Sequence, residues 1–285
     1  MADIQKLEDL LKSGLELFRA KRFSEADPIF RQVLTLEPRH TGAAYMLAIT
    51  LYFSGAFAEA LHMFKQLTAP GTPLAPQQVV GLRELSGYAQ YELLRLKYWE
   101  NLHIADPRKI SKELGRRGLK VSSLEAFHLY LANGKGAEWL QKYRIPAGKV
   151  DLRVTTRANQ IMILRDGRDA DDTIGAHLEA VQGARYIFIP LNRIKTLELG
   201  SIKRWMPVQV EYQDLSRETV MLPLTYRNSI SQKARGVQEG AETITVPIEG
   251  AQDSLQAFGQ KQFRSETGRI GLAQIMRMEI APRSE

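Results

Sequence analysis

A pattern of apolar and small residues repeats every 34 positions near the start of the chain. A period of 34 residues is typical of tetratricopeptide repeats, in which each repeat is a pair of packed helices. The small residues mark where two helices approach closely, and Pro38 predicts the end of the first repeat. The first copy has Gly14, Leu17, Phe23, Ala26, Phe30 and Val33, and the second has Ala48, Leu51, Phe57, Ala60, Phe64 and Leu67.

The next helix, predicted from about residue 76 to residue 103, is rich in aromatic side chains. Tyr88, Tyr91, Tyr98 and Trp99 lie on it. They have two interpretations, which are packing of a capping helix and an exposed groove for a peptide. Since helical repeats form a concave surface and normally carry no catalytic groups, we predict that this domain binds another protein.

From residue 150 the apolar period changes from helical spacing to two. Val208 and Val210 alternate with Gln209 and Glu211, for example, which is typical of a half-buried strand. Short strands of this kind without a βαβ rhythm predict a small, mostly antiparallel sheet, bent or partly open as a barrel. The predicted strands cover residues 150–155, 161–164, 186–191, 195–199, 207–212, 218–224, 243–248 and 275–280, with a turn at 214–217.

One main helix is predicted inside this sheet domain. Ile174, Leu178 and Val181 recur at i, i+4 and i+7, and Gly183 stands where the helix would end. An acidic run precedes it, and carboxylates are favoured at the positive end of a helix dipole. The alternative, a calcium loop of the EF-hand type, fails on spacing because it requires a glycine at the sixth position and a glutamate at the twelfth. The carboxylates of this run are Asp166, Asp169, Asp171 and Asp172.

Composition indicates an ordinary globular chain of 285 residues, with 44% hydrophobic and 25% charged residues. The length and the change of pattern predict three segments: repeats over residues 1–105, a connector over 106–149 and an α+β domain over 150–285. The absence of cysteine excludes disulfides and thiolate metal sites and agrees with a cytoplasmic protein. With no long apolar run or signal peptide, we expect neither secretion nor membrane insertion.

The net charge of +7 is concentrated in the connector. A basic segment can be a solvated linker surface, or it can attract an acidic partner. Gly115 to Gly118 forms a GxxG sequence with two arginines, like the loop of KH domains, but the flanking strands are missing. Nucleic-acid binding is therefore the less favoured interpretation. Two short helices are expected here, the first carrying Ile110 and Leu114 and the second Leu124, Phe127, Leu131 and Trp139.

No arrangement of residues in the sequence indicates catalysis. The five histidines are widely spaced and form no HExxH motif. The GxSxG, GxxxxGK[ST] and GxGxxG motifs are also absent. We therefore predict a protein that is not an enzyme and needs no cofactor or metal.

A set of residues over positions 169–226 resembles the signature region of the ImpE family, also called SciE or TagJ, accessory proteins of bacterial type VI secretion. About sixty residues agree in order and spacing. The matching residues are Asp169-Ala170-Asp171, Gly175, Leu178-Glu179-Ala180, Gly183, Tyr186, Ile189-Pro190, Leu191, Ile194, Trp205-Met206-Pro207, Leu222-Pro223 and Tyr226.

This resemblance implies a cytoplasmic, non-enzymatic adaptor. In the family, the partner is the N-terminal helix of the small contractile-sheath subunit, and the proposed role is to assist the sheath-disassembling ATPase. Docking of a helix in an apolar groove fits this role. A generic peptide-binding repeat scaffold of another pathway and a nucleic-acid-binding protein remain the alternatives. The candidate partner-binding residues are Tyr88, Tyr91, Tyr98, Trp99, Arg204 and Trp205.

Overall fold

The computed structural model describes residues 2–102, 107–118, 123–136, 150–226, 244–248, 251–258 and 260–282. The chain divides into two compact units, with the division between Leu94 and Arg95. We call the first the repeat unit and the second the sheet unit.

The repeat unit consists of helices whose small residues allow close packing. A Cβ atom added to Gly14 would lie 2.8 Å from the ring of Phe30, so the first two helices touch at this position. Phe30 and Phe64, which are 34 residues apart, are both fully buried. The predicted helical repeats are thus confirmed. The helices are α1 (Ala2–Arg19), α2 (Phe23–Leu36), α3 (Thr41–Ser54), α4 (Phe57–Leu67) and α5 (Pro76–Glu100), of which α5 continues into the sheet unit.

Two short helices of the sheet unit lie in the segment predicted as a connector. They are α6 (Pro107–Arg116) and α7 (Leu124–Ala132), as the apolar spacing predicted. Their apolar side chains form a cluster with the last turn of α5. Arg116 and Arg117 both form ion pairs with Glu113 at 2.6 and 2.5 Å, so the GxxG arginines are partly neutralised. Trp139 lies outside the described residues, and the predicted boundaries at 105 and 149 stay predictions.

The main sheet of this unit has eight antiparallel strands and does not close into a barrel. Its strand order is β2-β1-β13-β6-β7-β8-β4-β5, which leaves β2 and β5 at the two edges. The fold class of helical repeats followed by an antiparallel sheet domain is therefore confirmed. The strands are β1 (Val150–Thr156), β2 (Ile161–Leu164), β3 (Arg168–Asp169), β4 (His177–Gln182), β5 (Arg185–Pro190), β6 (Ile194–Leu199), β7 (Trp205–Tyr212), β8 (Arg217–Pro223), β9 (Ile244–Ile248), β10 (Ala251–Phe258), β11 (Gln262–Ser265), β12 (Gly268–Gly271) and β13 (Ile275–Pro282).

Alternating burial confirms the predicted hairpin of β7 and β8. Val208 and Val210 are buried and Gln209 between them is exposed. Val208 pairs with Val220 across the two strands, and the chain turns between Tyr212 and Arg217 as predicted. Inward-facing residues of this kind from most strands form one apolar core on one side of the sheet.

The helix predicted through Ile174, Leu178 and Val181 is wrong. Residues 177–182 form strand β4, which is paired along its whole length with β5. Gly183 has φ 57 and lies in the tight turn between these strands, so it ends a strand instead of a helix. Residues 177–181 are all buried, so both faces of β4 are covered and no alternation is visible in the sequence. The polar stretch after residue 250 also forms strands, β10 and β11, that the sequence did not predict.

Candidate functional site

The acidic run of the signature region forms a tight turn and does not cap a helix. A carboxylate oxygen of Asp169 accepts the backbone N–H of Asp171 at 2.9 Å. The carboxylate of Asp171 in turn accepts the backbone N–H of Thr173 at 2.9 Å. Carboxylates that bond the backbone two residues later stabilise turns of this kind. The turn directs the Asp169 side chain towards the interior of the sheet unit.

Four charged residues meet in that interior, and we call them the buried charge network: Arg95, Asp169, Glu179 and Lys261. Arg95 Nε lies 2.7 Å from Glu179 Oε1, and Lys261 Nζ lies 2.6 Å from Glu179 Oε2. Lys261 Nζ also lies 3.2 Å from Asp169 Oδ2. None of the four side chains is more than 5% exposed. Two cations and two carboxylates therefore lie in contact in the interior of the sheet unit.

Aromatic residues of the signature surround the network. The O–H group of Tyr226 donates to Asp169 Oδ1 at 2.7 Å, and the O–H group of Tyr186 donates to Glu179. The guanidinium carbon of Arg95 lies 5.9 Å from the ring centroid of Trp205. Aromatic faces of this kind stabilise cations that have lost their water. These signature residues thus contact the buried charge network inside the sheet unit.

The cations of the network keep Glu179 ionised. Burial alone would raise the pKa of Glu179, but Arg95 and Lys261 lower it to about 2. Burial would lower the pKa of Lys261, but Asp169 and Glu179 reverse this and raise it. Burial raises the pKa of Asp171 to about 6. An ion pair held in this way stabilises a fold and offers no accessible acid or base.

A buried histidine ties the turn of the signature region to α7. His128 is fully buried, and its Nε2 lies 2.6 Å from the carbonyl oxygen of Thr173. Its Nδ1 lies 3.0 Å from the hydroxyl of Tyr98. A neutral ring that donates from Nε2 and accepts at Nδ1 satisfies both contacts. The centroid of the Trp99 ring lies 4.5 Å from that of His128. Tyr98 and Trp99 are therefore half-buried contacts of the sheet unit.

The remaining candidate residues occupy different environments. Tyr88 is nearly buried in the repeat unit and donates to Glu84 at 2.5 Å, and Tyr91 is half-buried. Arg204 is half-buried in the sheet unit. Trp205 has no exposed surface, so it does not fit the prediction of a surface contact. Its ring lies inside the sheet unit, with the guanidinium carbon of Arg95 at 5.9 Å.

The sequence did not reveal Arg95 and Lys261 as members of a site. Arg95 lies in a helix with many charged neighbours, and Lys261 lies between two glutamines. A weak signal was present in Glu179, a single charge between Leu178 and Ala180 within an apolar segment. Among the described residues, no group of three or more His, Asp or Glu side chains is arranged to hold a metal.

The repeat unit has a second candidate site on α3. None of the 14 residues of α3 is charged, which sets it apart from the neighbouring α2 and α4. One stripe of the helix, with Ala43, Leu47 and Leu51, is buried. Tyr45 and Ile49, spaced four residues apart on another stripe, are only half-buried. An apolar stripe with this exposure is suited to contact a partner helix.

Comparisons with known proteins give two matches to family models. The family model described as ImpE protein matches residues 163–279, which include Asp169, Glu179 and Lys261 of the buried charge network. A tetratricopeptide repeat model matches residues 17–73. The sheet unit of this chain is therefore similar to the ImpE family. Like the resemblance seen in the sequence, the two matches indicate an accessory, protein-interaction role in type VI secretion, and both families are interaction scaffolds.

A solved structure supports the fold of this chain. The crystal structure of protein VPA1032 from Vibrio parahaemolyticus has a TM-score of 0.63 at 16% sequence identity. The similarity covers 95% of this chain and 98% of that chain, so the whole architecture is shared. No curated protein matches the sequence at a significant level. Within the described residues, no helix combines the length and the apolar character needed to cross a bilayer.

Proposed function

We propose that this protein is a cytoplasmic, non-enzymatic adaptor of type VI secretion. In this proposal it binds the N-terminal helix of the small contractile-sheath subunit and assists the ATPase that disassembles the sheath. The family match and the helical repeats support the class of function. The partner comes from the resemblance to the family.

The observation that carries the proposal is the uncharged, partly exposed α3 in the repeat unit. An amphipathic partner helix binds by placing residues at i, i+3, i+4 and i+7 into an apolar surface. Tyr45, Met46 and Ile49 have the matching spacing on α3 and are all half-buried. Tyr91 of α5, a candidate from the sequence, is also half-buried in the repeat unit.

The state of the charged residues supports the non-enzymatic part of the proposal. The carboxylates of Glu179 and Asp169 are occupied by cations and hydroxyl groups inside the sheet unit. A general acid or base must reach its substrate within hydrogen-bond distance. Residues buried in a compensated network do not meet that condition.

The test is calorimetric titration with a synthetic peptide of the first helix of a small type VI sheath subunit. We expect micromolar binding by the wild-type protein. Ile49→Glu places a charge on the proposed contact and should weaken binding at least tenfold, which is about 1.4 kcal/mol. Leu36→Glu is the matched control, because Leu36 is also apolar but lies on α2 and is 46% exposed.

Three results would count against the proposal. Absence of binding at high micromolar concentration would remove the sheath partner. Equal losses in the two variants would remove α3 as its site, provided that circular dichroism shows both variants folded. Binding of duplex DNA or RNA that weakens steeply with salt would favour the nucleic-acid alternative, since phosphate contacts depend on salt in this way.

A further inference from the structure

Strand β2 lies at an edge of the main sheet and directs part of its backbone outward. Among the described strands it pairs only with β1, where Met162 lies opposite Val154. The N–H of Thr156 donates to the carbonyl oxygen of Gln160 at 2.8 Å, which makes this a hydrogen-bonded pair. Such pairs alternate in antiparallel strands, so Met162 also bonds to β1. Ile161 and Ile163 therefore direct their N–H and C=O groups away from β1, towards the free edge.

The side chains of the same two residues are exposed. Ile161 is 58% and Ile163 is 60% exposed. The residues beside them on the same face of β1 are Thr155 and Arg153. On the next strand, β13, Arg153 lies opposite Glu279. This face is therefore polar on the inner strands and apolar only at the edge. Exposed edge strands are normally protected from pairing with another strand by charged residues, and here the edge carries isoleucines instead.

We propose that β2 pairs with β2 of a second copy of this chain. The strands would run antiparallel, with Met162 opposite Met162 of the second copy and Ile161 opposite Ile163. In this register the outward groups of both strands form four backbone hydrogen bonds. The four isoleucine side chains then meet on one face, because directly opposed residues share a face.

A second copy of the chain is the partner that fits β2, because the edge is complementary to itself. A two-fold axis places each isoleucine against the other one, as an isologous interface requires. The next positions, Asn159 opposite Arg165 and Gln160 opposite Leu164, set no like charges against each other. Strand β2 itself, from Ile161 to Leu164, contains no charge and no proline to block pairing. Because the strand has only four residues, the interface is small and the dimer should be reversible.

The test is sedimentation velocity from about 1 μM to about 1 mM, where reversible dimers of this size class dissociate and form. We expect the wild-type protein to shift from monomer to dimer over this range. Ile163→Lys should stay monomeric. Ile163→Pro removes the outward N–H without removing a bond to β1, and it should weaken the dimer at least tenfold. Met276→Lys is the control and should dimerise like the wild type, since Met276 is 39% exposed on the interior strand β13.

Amide hydrogen exchange provides a second measurement that does not depend on a variant. Protection of the Ile161 and Ile163 amides should rise with protein concentration, whereas that of Met162 should not change. A wild-type protein that remains monomeric at the highest concentration would overturn the proposal. So would a dimer that both Ile163 variants retain, or a monomer whose β2 edge is protected only on adding an extended peptide.

Discussion

Replacing Glu179 by glutamine should strongly destabilise the sheet unit. Glutamine has nearly the same shape, so the substitution removes the charge and leaves the packing in place. Arg95 and Lys261 then remain buried with one carboxylate fewer, and an amide N–H group faces a cation. Breaking a buried ion pair from one side costs about 3–5 kcal/mol.

The structure supplies an independent magnitude for this loss. The two cations and the hydrogen bonds lower the pKa of Glu179 from 4.5 to about 2 against the opposing effect of burial. At about 1.4 kcal/mol per pKa unit, the folded protein stabilises the ionised form by about 3 kcal/mol. Since the pKa is lower in the folded state, this stabilisation is complete above about pH 4.5 and is lost as the pH falls towards 2.

Urea unfolding at pH 7, followed by tryptophan fluorescence, measures the effect. Trp99 and Trp205 lie in the sheet unit, so their signal reports on that unit. The control is Glu198→Gln, because Glu198 is 59% exposed and lies 3.5 Å from Arg277. Exposed pairs contribute about 0–1 kcal/mol. A loss below about 1 kcal/mol in Glu179→Gln, or equal losses in both variants, would refute a stabilising role of the network.

Three further predictions concern single positions. Burial raises the pKa of Asp171 to about 6, so the folded state binds a proton on this carboxylate more tightly than the unfolded state does. As the pH falls from 7 to 5, the unfolding free energy of the wild type should therefore rise relative to that of Asp171→Asn, measured by urea titrations. Gly183→Val forces a branched residue to φ 57 and should cost about 1–2 kcal/mol or more in the same fluorescence assay. Gly14→Val brings a Cβ to 2.8 Å from the Phe30 ring, so the unfolding free energy of the repeat unit should fall by about 1–3 kcal/mol. The helical circular dichroism signal measures this in urea unfolding, and an unchanged unfolding midpoint would show that the ring moves aside freely.

The sequence predicted best those elements whose burial follows a simple period. The repeat was visible because successive helical pairs bury the same positions, such as Phe30 and Phe64. Strand β7 was visible because one face is covered and the other is not, so Val208 and Gln209 differ in polarity. Each of these patterns is local, and each can be read without knowledge of the partner element.

Strand β4 shows why the rest was not predicted. It is buried on both faces, so Leu178 and Val181 belong to a continuous apolar segment, and their helical spacing is a coincidence. The acidic residues before it looked like a cap because the turn that they stabilise uses the same carboxylate-to-backbone bonds as a helix N-terminus.

The network itself depends on contacts between residues far apart in the chain. Arg95 lies 84 positions before Glu179, and Lys261 lies 92 positions after Asp169. An isolated buried carboxylate is so costly that it either binds a proton or has a cation beside it. Recognising β4 as covered would therefore have predicted one of these two states for Glu179. The chain contains 39 lysines and arginines, and only the contacts of Arg95 in α5 and of Lys261, just before β11, with Glu179 select two of them.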